Sequence, residues 1–195
     1  KLVLLPDRGG KVLAGDLAEV LKNEHGDIHH VKPAVVSLTQ TGETGTVYSI
    51  DEIKAISNIA HKHGLKVHMD GARFANAVAE LGCSPAETSC KAGVDILSFG
   101  ASKNGAFAAE AVVIFTPGLA EDFAFRRKRG GHLFSKMRFL AAQFEAYLKD
   151  DLWIQSARHA NDCMEIIAQG LCEIKDVEFL FPPDANILFA RLPNS

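Results

Sequence analysis

Two features of this chain are suited to chemistry: a carboxylate at the end of an apolar strand, and a lysine held among small residues. The carboxylate is Asp70, in His68-Met69-Asp70-Gly71-Ala72-Arg73, where a β-prone run ends in an acid, a glycine and an arginine. Ligands of open α/β sheets collect outside such carboxyl ends. A carboxylate sheltered there needs a cationic partner. The protonated ring nitrogen of a cofactor is one and Arg73 is another, while a cap on the following helix is a third use of Asp70. The lysine is Lys103, in Gly93-Val94-Asp95-Ile96-Leu97-Ser98-Phe99-Gly100-Ala101-Ser102-Lys103-Asn104-Gly105, followed by Ala106-Phe107-Ala108-Ala109. Those small and apolar neighbours suggest close packing. A desolvated lysine near other cations loses its proton more readily and can form an imine, whereas a solvated loop lysine stays charged. Residue types alone leave both alternatives open.

The elements that must position these groups are short β-prone runs alternating with helical stretches, the pattern of parallel strands joined by crossover helices. An α/β fold follows, with strands expected at 1–5, 34–38, 66–69, 96–99 and 111–115. Several are apolar enough to suggest burial on both faces. Ser49 is an N-cap candidate with acids in the first turn, and Ile53, Ile56 and Ala60 share a face until Gly64. Helical patterns recur at 133–147 and 153–171, then two strands at 177–181 and 186–192 flank Pro182-Pro183. This tail reads as the start of a second domain. The division expected is 1–130 for a large domain, 131–152 for a connecting helical segment and 153–195 for the beginning of a small α+β domain.

Composition narrows the classes. In 195 residues, 47% are hydrophobic, which suits a globular core. Net charge is −3, and basic residues cluster only at Arg126-Arg127-Lys128-Arg129, against a nucleic-acid-binding face. Cys83, Cys90, Cys163 and Cys172 lack C-x-x-C spacing and read as free thiols of a reducing cytosol. No apolar run approaches the ~20 residues of a membrane span, so a cytoplasmic protein is expected. The histidine pairs His61/His63 and His29/His30 lack a convincing third ligand nearby, so no metal site is expected. The chain opens on Leu2-Val3-Leu4-Leu5 without a methionine and closes just after another apolar run, which suggests part of a longer protein.

Asp70-Gly71-Ala72-Arg73 and, about thirty residues on, Gly100-Ala101-Ser102-Lys103-Asn104-Gly105 together resemble the threonine aldolase branch of the β-eliminating lyases. The resemblance extends to Gln40-Thr41-Gly42-Glu43, Gly45-Thr46-Val47-Tyr48, Gly130-Gly131-His132 and Ser135-Lys136-Met137-Arg138-Phe139. It implies pyridoxal 5'-phosphate (PLP) as cofactor and fold type I, with a mixed, mostly parallel sheet in the large domain. By the same resemblance Lys103 is the Schiff-base lysine, Asp70 the partner of the pyridine nitrogen, and Arg73 a group near the cofactor's phenolic oxygen and the substrate carboxylate. His29 would lie near the substrate side chain and is a candidate catalytic group. Lys128 would approach the substrate, from a neighbouring subunit of a dimer or tetramer.

The activity implied is retro-aldol cleavage of L-threonine or L-allo-threonine to glycine and an aldehyde. Ser102, where the family usually has threonine, and Gln40, where many members have glutamate or asparagine, are mild departures that keep polar groups in place. The phosphate-binding loop, the ring-stacking histidine and a second carboxylate-binding arginine are expected outside these 195 residues. The isolated piece is therefore expected to be inactive. Another fold type I lyase, or a non-catalytic protein keeping the fold, are the alternatives.

Overall fold

A computed structural model describes residues 2–22, 28–29 and 31–193. Helix α2 (Ile50–Lys62) shows how local sequence sets the architecture. The Ser49 hydroxyl accepts from the Glu52 amide at 3.2 Å, and the Glu52 carboxylate accepts from the Ser49 amide at 2.7 Å, a reciprocal capping box. Ile53, Ile56 and Ala60 then bury one face, as the periodicity predicts. Gly64, at φ +75°, reverses the chain at a cost other residues would meet as strain, and β2 begins two residues later.

Four strands, β1 (Val35–Thr39), β2 (Lys66–Gly71), β3 (Ile96–Gly100) and β4 (Glu110–Ile114), lie side by side in that order. The first three are parallel and β4 runs back against β3, so the sheet is mixed and mostly parallel. Helices α1 (Ala14–Lys22), α3 (Phe74–Leu81), α4 (Phe123–Arg129), α5 (Met137–Leu148) and α6 (Leu152–Cys172) complete the set, with a two-residue pairing of β5 (Glu178–Phe179) and β6 (Ala190–Arg191). None of the described helices is long and apolar enough to cross a membrane. All four cysteines are free.

Two expectations need correction. Residues 2–5 form no strand; Leu2 and Leu4 are exposed and pair with no neighbour, since β-propensity takes effect only where an edge is available. Burial on both strand faces also fails. Along β2 burial alternates, with Val67, Met69 and Gly71 inside and Lys66, His68 and Asp70 partly open. Among the described residues the core lies on one side of the sheet, built by residues such as Ile53, Ile56 and Phe74.

Phe99 is the hub of that packed side. Its ring meets Trp153 at 5.5 Å, Phe144 at 5.7 Å, and Phe74 and Tyr147 at 6.1 Å, edge-on to Trp153 and Phe74. Edge-to-face pairs align the positive ring edge with the negative face of the neighbour and add about 0.5–1.5 kcal/mol each beyond burial. Strand β3 is thereby tied to α3, α5 and α6. A polar clasp reinforces the α3–α6 junction: the Asn76 amide donates to Asn161 Oδ1 and the Asn161 amide to the Asn76 carbonyl, both at 3.0 Å.

At the amino end of β3, buried Asp95 accepts from Thr116 Oγ1 (2.6 Å), the Val67 amide (2.8 Å), His61 Nε2 (2.8 Å) and Lys66 Nζ (3.2 Å). Burial pushes this carboxyl up, but the donors outweigh burial and hold it well below the usual carboxylate range. Because the folded pKa is depressed, its stabilisation is complete above the ordinary value of about 3.9 and is lost as pH falls below it. Asp95→Ala strands the Val67 amide and the Thr116 hydroxyl, at a cost of about 2–3 kcal/mol; the half-exposed His61 and Lys66 return to water and add little. A lower urea midpoint at neutral pH, with the gap to the parent narrowing below about pH 4, is the outcome expected.

Candidate active site

Parallel pairing sets Asp70 beside Thr39 of β1 and Ser98 of β3, at the carboxyl ends of all three strands. Its Oδ1 accepts the Ala72 amide at 3.0 Å, a local turn that leaves the rest of the carboxylate available. Its carbonyl accepts the Gln40 amide at 2.8 Å. Gln40 is fully buried and makes two bonds to the Tyr48 backbone, at 2.9 and 3.0 Å, so the loop after β1 is pinned beside Asp70.

Arg73 follows one turn later. Its side chain is largely buried and ion-pairs with exposed Glu43 at 3.6 Å, and its buried Nη1 makes no hydrogen bond. Pairing of Asp70 with Arg73, one of the alternatives left open, is not among the ion pairs found; Arg73 turns to Glu43 instead. A buried guanidinium nitrogen without an acceptor costs about 1–3 kcal/mol or more, which an incoming anionic ligand would offset.

Lys103 stands in a 3-10 turn, Ser102–Asn104, directly after β3. A Cβ added to Gly100 would lie 3.0 Å from Ala72 Cα and 3.3 Å from its carbonyl oxygen. The missing side chain lets the lysine turn press against the Asp70-Gly71-Ala72-Arg73 turn. The turn is closed by the Ala101 amide on the Ala109 carbonyl (3.0 Å) and by Ser102 Oγ on Glu110 (2.7 Å). Close packing around the lysine holds only in part. Ala101 and Ala109 are buried, but Lys103 is exposed and Phe107 is 95% exposed. The turn's apolar contacts are made by alanines too short to enclose the amine.

Asn104 escaped the sequence reading. Its amide donates to Tyr147 Oη at 2.7 Å and to the Trp153 carbonyl at 2.8 Å, anchoring the lysine turn to α5 and α6. Burial pushes the Tyr147 phenol up, with Asn104 opposing. An asparagine beside a candidate lysine was the available signal, but partners over forty residues away are invisible in sequence.

His29 and Lys128 occupy exposed positions, His29 in a turn between α1 and β1 and Lys128 in the last turn of α4. Asp27 and His30, neighbours of His29, lie outside the described residues. Beside the lysine turn, Ser98, Ser102, Glu110, Arg126, Arg127 and His132 line a cleft of about 660 Å³. Among the described residues no group of three or more His, Cys, Asp and Glu is placed to hold a metal ion.

The residues present fit PLP. Asp70 retains acceptor capacity for a ring nitrogen, the Lys103 amine is accessible for a carbonyl, and Arg73 Nη1 is a buried donor with only the loose Glu43 contact and no hydrogen bond. The fold is α/β, and these residues gather where its parallel strands end, the place where ligands of open α/β sheets collect.

The β-eliminating lyase family profile matches residues 2–193, and the chain belongs to that family. A low-specificity L-threonine aldolase of Pseudomonas aeruginosa is 50% identical over 193 residues, covering 98% of this chain and 55% of the relative. One from Saccharomyces cerevisiae is 27% identical over 190 residues, covering 97% of this chain and 48% of the relative. Among solved structures, threonine aldolase of Leishmania major superposes with a TM-score of 0.89 at 31% identity, over 97% of this chain and 55% of that one. The chain spans about half the length of the relatives it matches.

Asn104→Ala removes both anchors of the lysine turn and strands a buried phenol, costing about 1–2 kcal/mol. The expected readouts are a lower urea midpoint and slower covalent labelling of Lys103 by PLP and borohydride.

Proposed function

We propose that the full-length protein uses PLP to cleave β-hydroxy-α-amino acids, L-threonine and L-allo-threonine among them, to glycine and an aldehyde. The observation that carries this is the junction at Gly100 and Ala72, where the lysine turn meets the Asp70 turn beside Arg73, whose buried Nη1 makes no hydrogen bond. The threonine aldolases with which the chain aligns over nearly its whole length supply the reaction class.

Each residue has a separable task. The Lys103 amine would hold the cofactor covalently and yield it to the substrate's amino group. Asp70 would keep the ring nitrogen protonated by offering it a negative charge. Arg73 takes the substrate carboxylate, trading the loose contact with Glu43 for a charge-assisted bond. Bound PLP supplies an electron sink for the bond broken at the α-carbon. His29 is assigned to the β-hydroxyl end of the substrate, and Lys128 to the substrate from a neighbouring copy.

The reading extends to context. A cytoplasmic homo-oligomer, dimer or tetramer, is supported by the free thiols and by exposed Phe107, Phe125 and Phe139. Residues 1–130 are assigned to the large domain, 131–152 to a connection and 153–195 to the start of the small domain.

Borohydride reduction of the PLP-loaded full-length protein, followed by peptide mapping, should place the label on Lys103, and Lys103→Ala should abolish it. With L-threonine, acetaldehyde should appear without ammonia. Asp70→Asn should lower kcat by roughly 10²–10³-fold, the scale of losing one preorganised electrostatic group. Ammonia in place of aldehyde, or label on another lysine, would overturn the assignment.

A further inference from the structure

The sheet face that carries Asp70 also carries a chain of side-chain hydrogen bonds. In-register pairing sets Ser37 of β1 beside His68 of β2, and Ser98 of β3 beside Asp70. Ser37 Oγ lies 2.8 Å from His68 Nδ1, and Ser98 Oγ lies 3.0 Å from His68 Nε2. One imidazole thus bridges three strands, two residues before the strand-end carboxylate and on the same face. A neutral imidazole has one donor and one acceptor nitrogen, and a hydroxyl can serve either. The two serines therefore satisfy the uncharged ring completely and hold it across the strands.

A charged imidazole here would have a specific consequence. Half-burial lowers the proton affinity of His68, while the negative charge of Asp70 raises it. A proton gained by His68 would put a cation on the face of Asp70 and satisfy the carboxylate that a pyridine nitrogen needs. Of the other charged groups on this face, Lys66 pairs with Asp95 at 3.2 Å and Glu110 of β4 bonds Ser102 at 2.7 Å, while Arg126, Arg127 and His132 line the cleft that Ser98 also borders. Strands β1 and β3 present only Val35, Ser37, Thr39 and Ile96, Ser98, Gly100 to it. The negative charge of Asp70 is what would draw a proton to His68.

We propose that His68 is a positioning residue for the cofactor: clamped between Ser37 and Ser98, it stays uncharged and leaves the Asp70 carboxylate to the pyridine nitrogen. The inference rests on the PLP reading of the site. It predicts that loosening the clamp makes cofactor binding sensitive to pH around the ordinary histidine range, with affinity falling as pH falls.

The test is the PLP dissociation constant of the full-length protein, measured by equilibrium dialysis between about pH 8 and about pH 5.5, a range bracketing the usual histidine pKa of about 6.5. Ser37→Ala or Ser98→Ala should lose about tenfold more affinity over this range than the unmodified protein, the equivalent of one unit of differential proton binding. Glutamine at this position cannot take up a proton, so adding His68→Gln to either serine variant should return the pH profile to that of the unmodified protein. Either serine variant suffices should the other fail to fold. Serine variants whose profiles run parallel to the unmodified protein, or whose added pH dependence survives His68→Gln, would reduce His68 to packing and overturn the inference alone. Failure of the unmodified protein to hold PLP on Lys103 would overturn both this inference and the function it rests on.

Discussion

The in-register parallel pairing of β2 with β3 is the constraint on which the site depends. It sets Asp70 against Ser98 and ends both strands at one level, so that the turns leaving them must share a small space. Gly71 and Gly100 make that possible. A Cβ on Gly71 would lie 2.8 Å from the Ser98 carbonyl oxygen, and one on Gly100 would lie 3.0 Å from Ala72. A slip of one residue would turn Asp70 into the packed face and strand it there without a partner.

What holds β3 in place comes from far along the chain. Phe99 gathers Phe74, Phe144, Tyr147 and Trp153, while Asn104 fastens the lysine turn to Tyr147 and the Trp153 carbonyl. The lysine's backbone is thereby referenced to α5 and α6 as well as to its own strand. The Asn76–Asn161 clasp does the same for the helix that follows Arg73. Burial and hydrogen bonding make these two helices part of the scaffold of the site.

Two aspartates show how partners separate structure from function. Asp95, at the amino end of β3, is saturated by four donors, and nothing about it is left for a ligand. Asp70, at the carboxyl end of β2, accepts one backbone amide and keeps its remaining acceptor sites. Arg73 is the complementary case, a buried guanidinium with one nitrogen unbonded. Unused bonding capacity at the strand ends, set against the saturated Asp95, is what a ligand there would use.

Much was legible in the residues themselves. The capping box at Ser49, the stop at Gly64, strands β1 to β4 and the two long helices follow from local periodicity and turn chemistry, which act within a few residues. The placement of Asp70, Arg73 and Lys103 at strand ends was legible for the same reason. The antiparallel direction of β4, the open face of the sheet and the absence of a strand at residues 2–5 were decided by tertiary structure, because pairing and burial depend on which neighbours arrive. So were the Asn104 anchor, the turn of Arg73 toward Glu43 and the clamp on His68. Each joins residues some thirty or more positions apart, and only the fold brings such pairs within hydrogen-bonding or ion-pairing range.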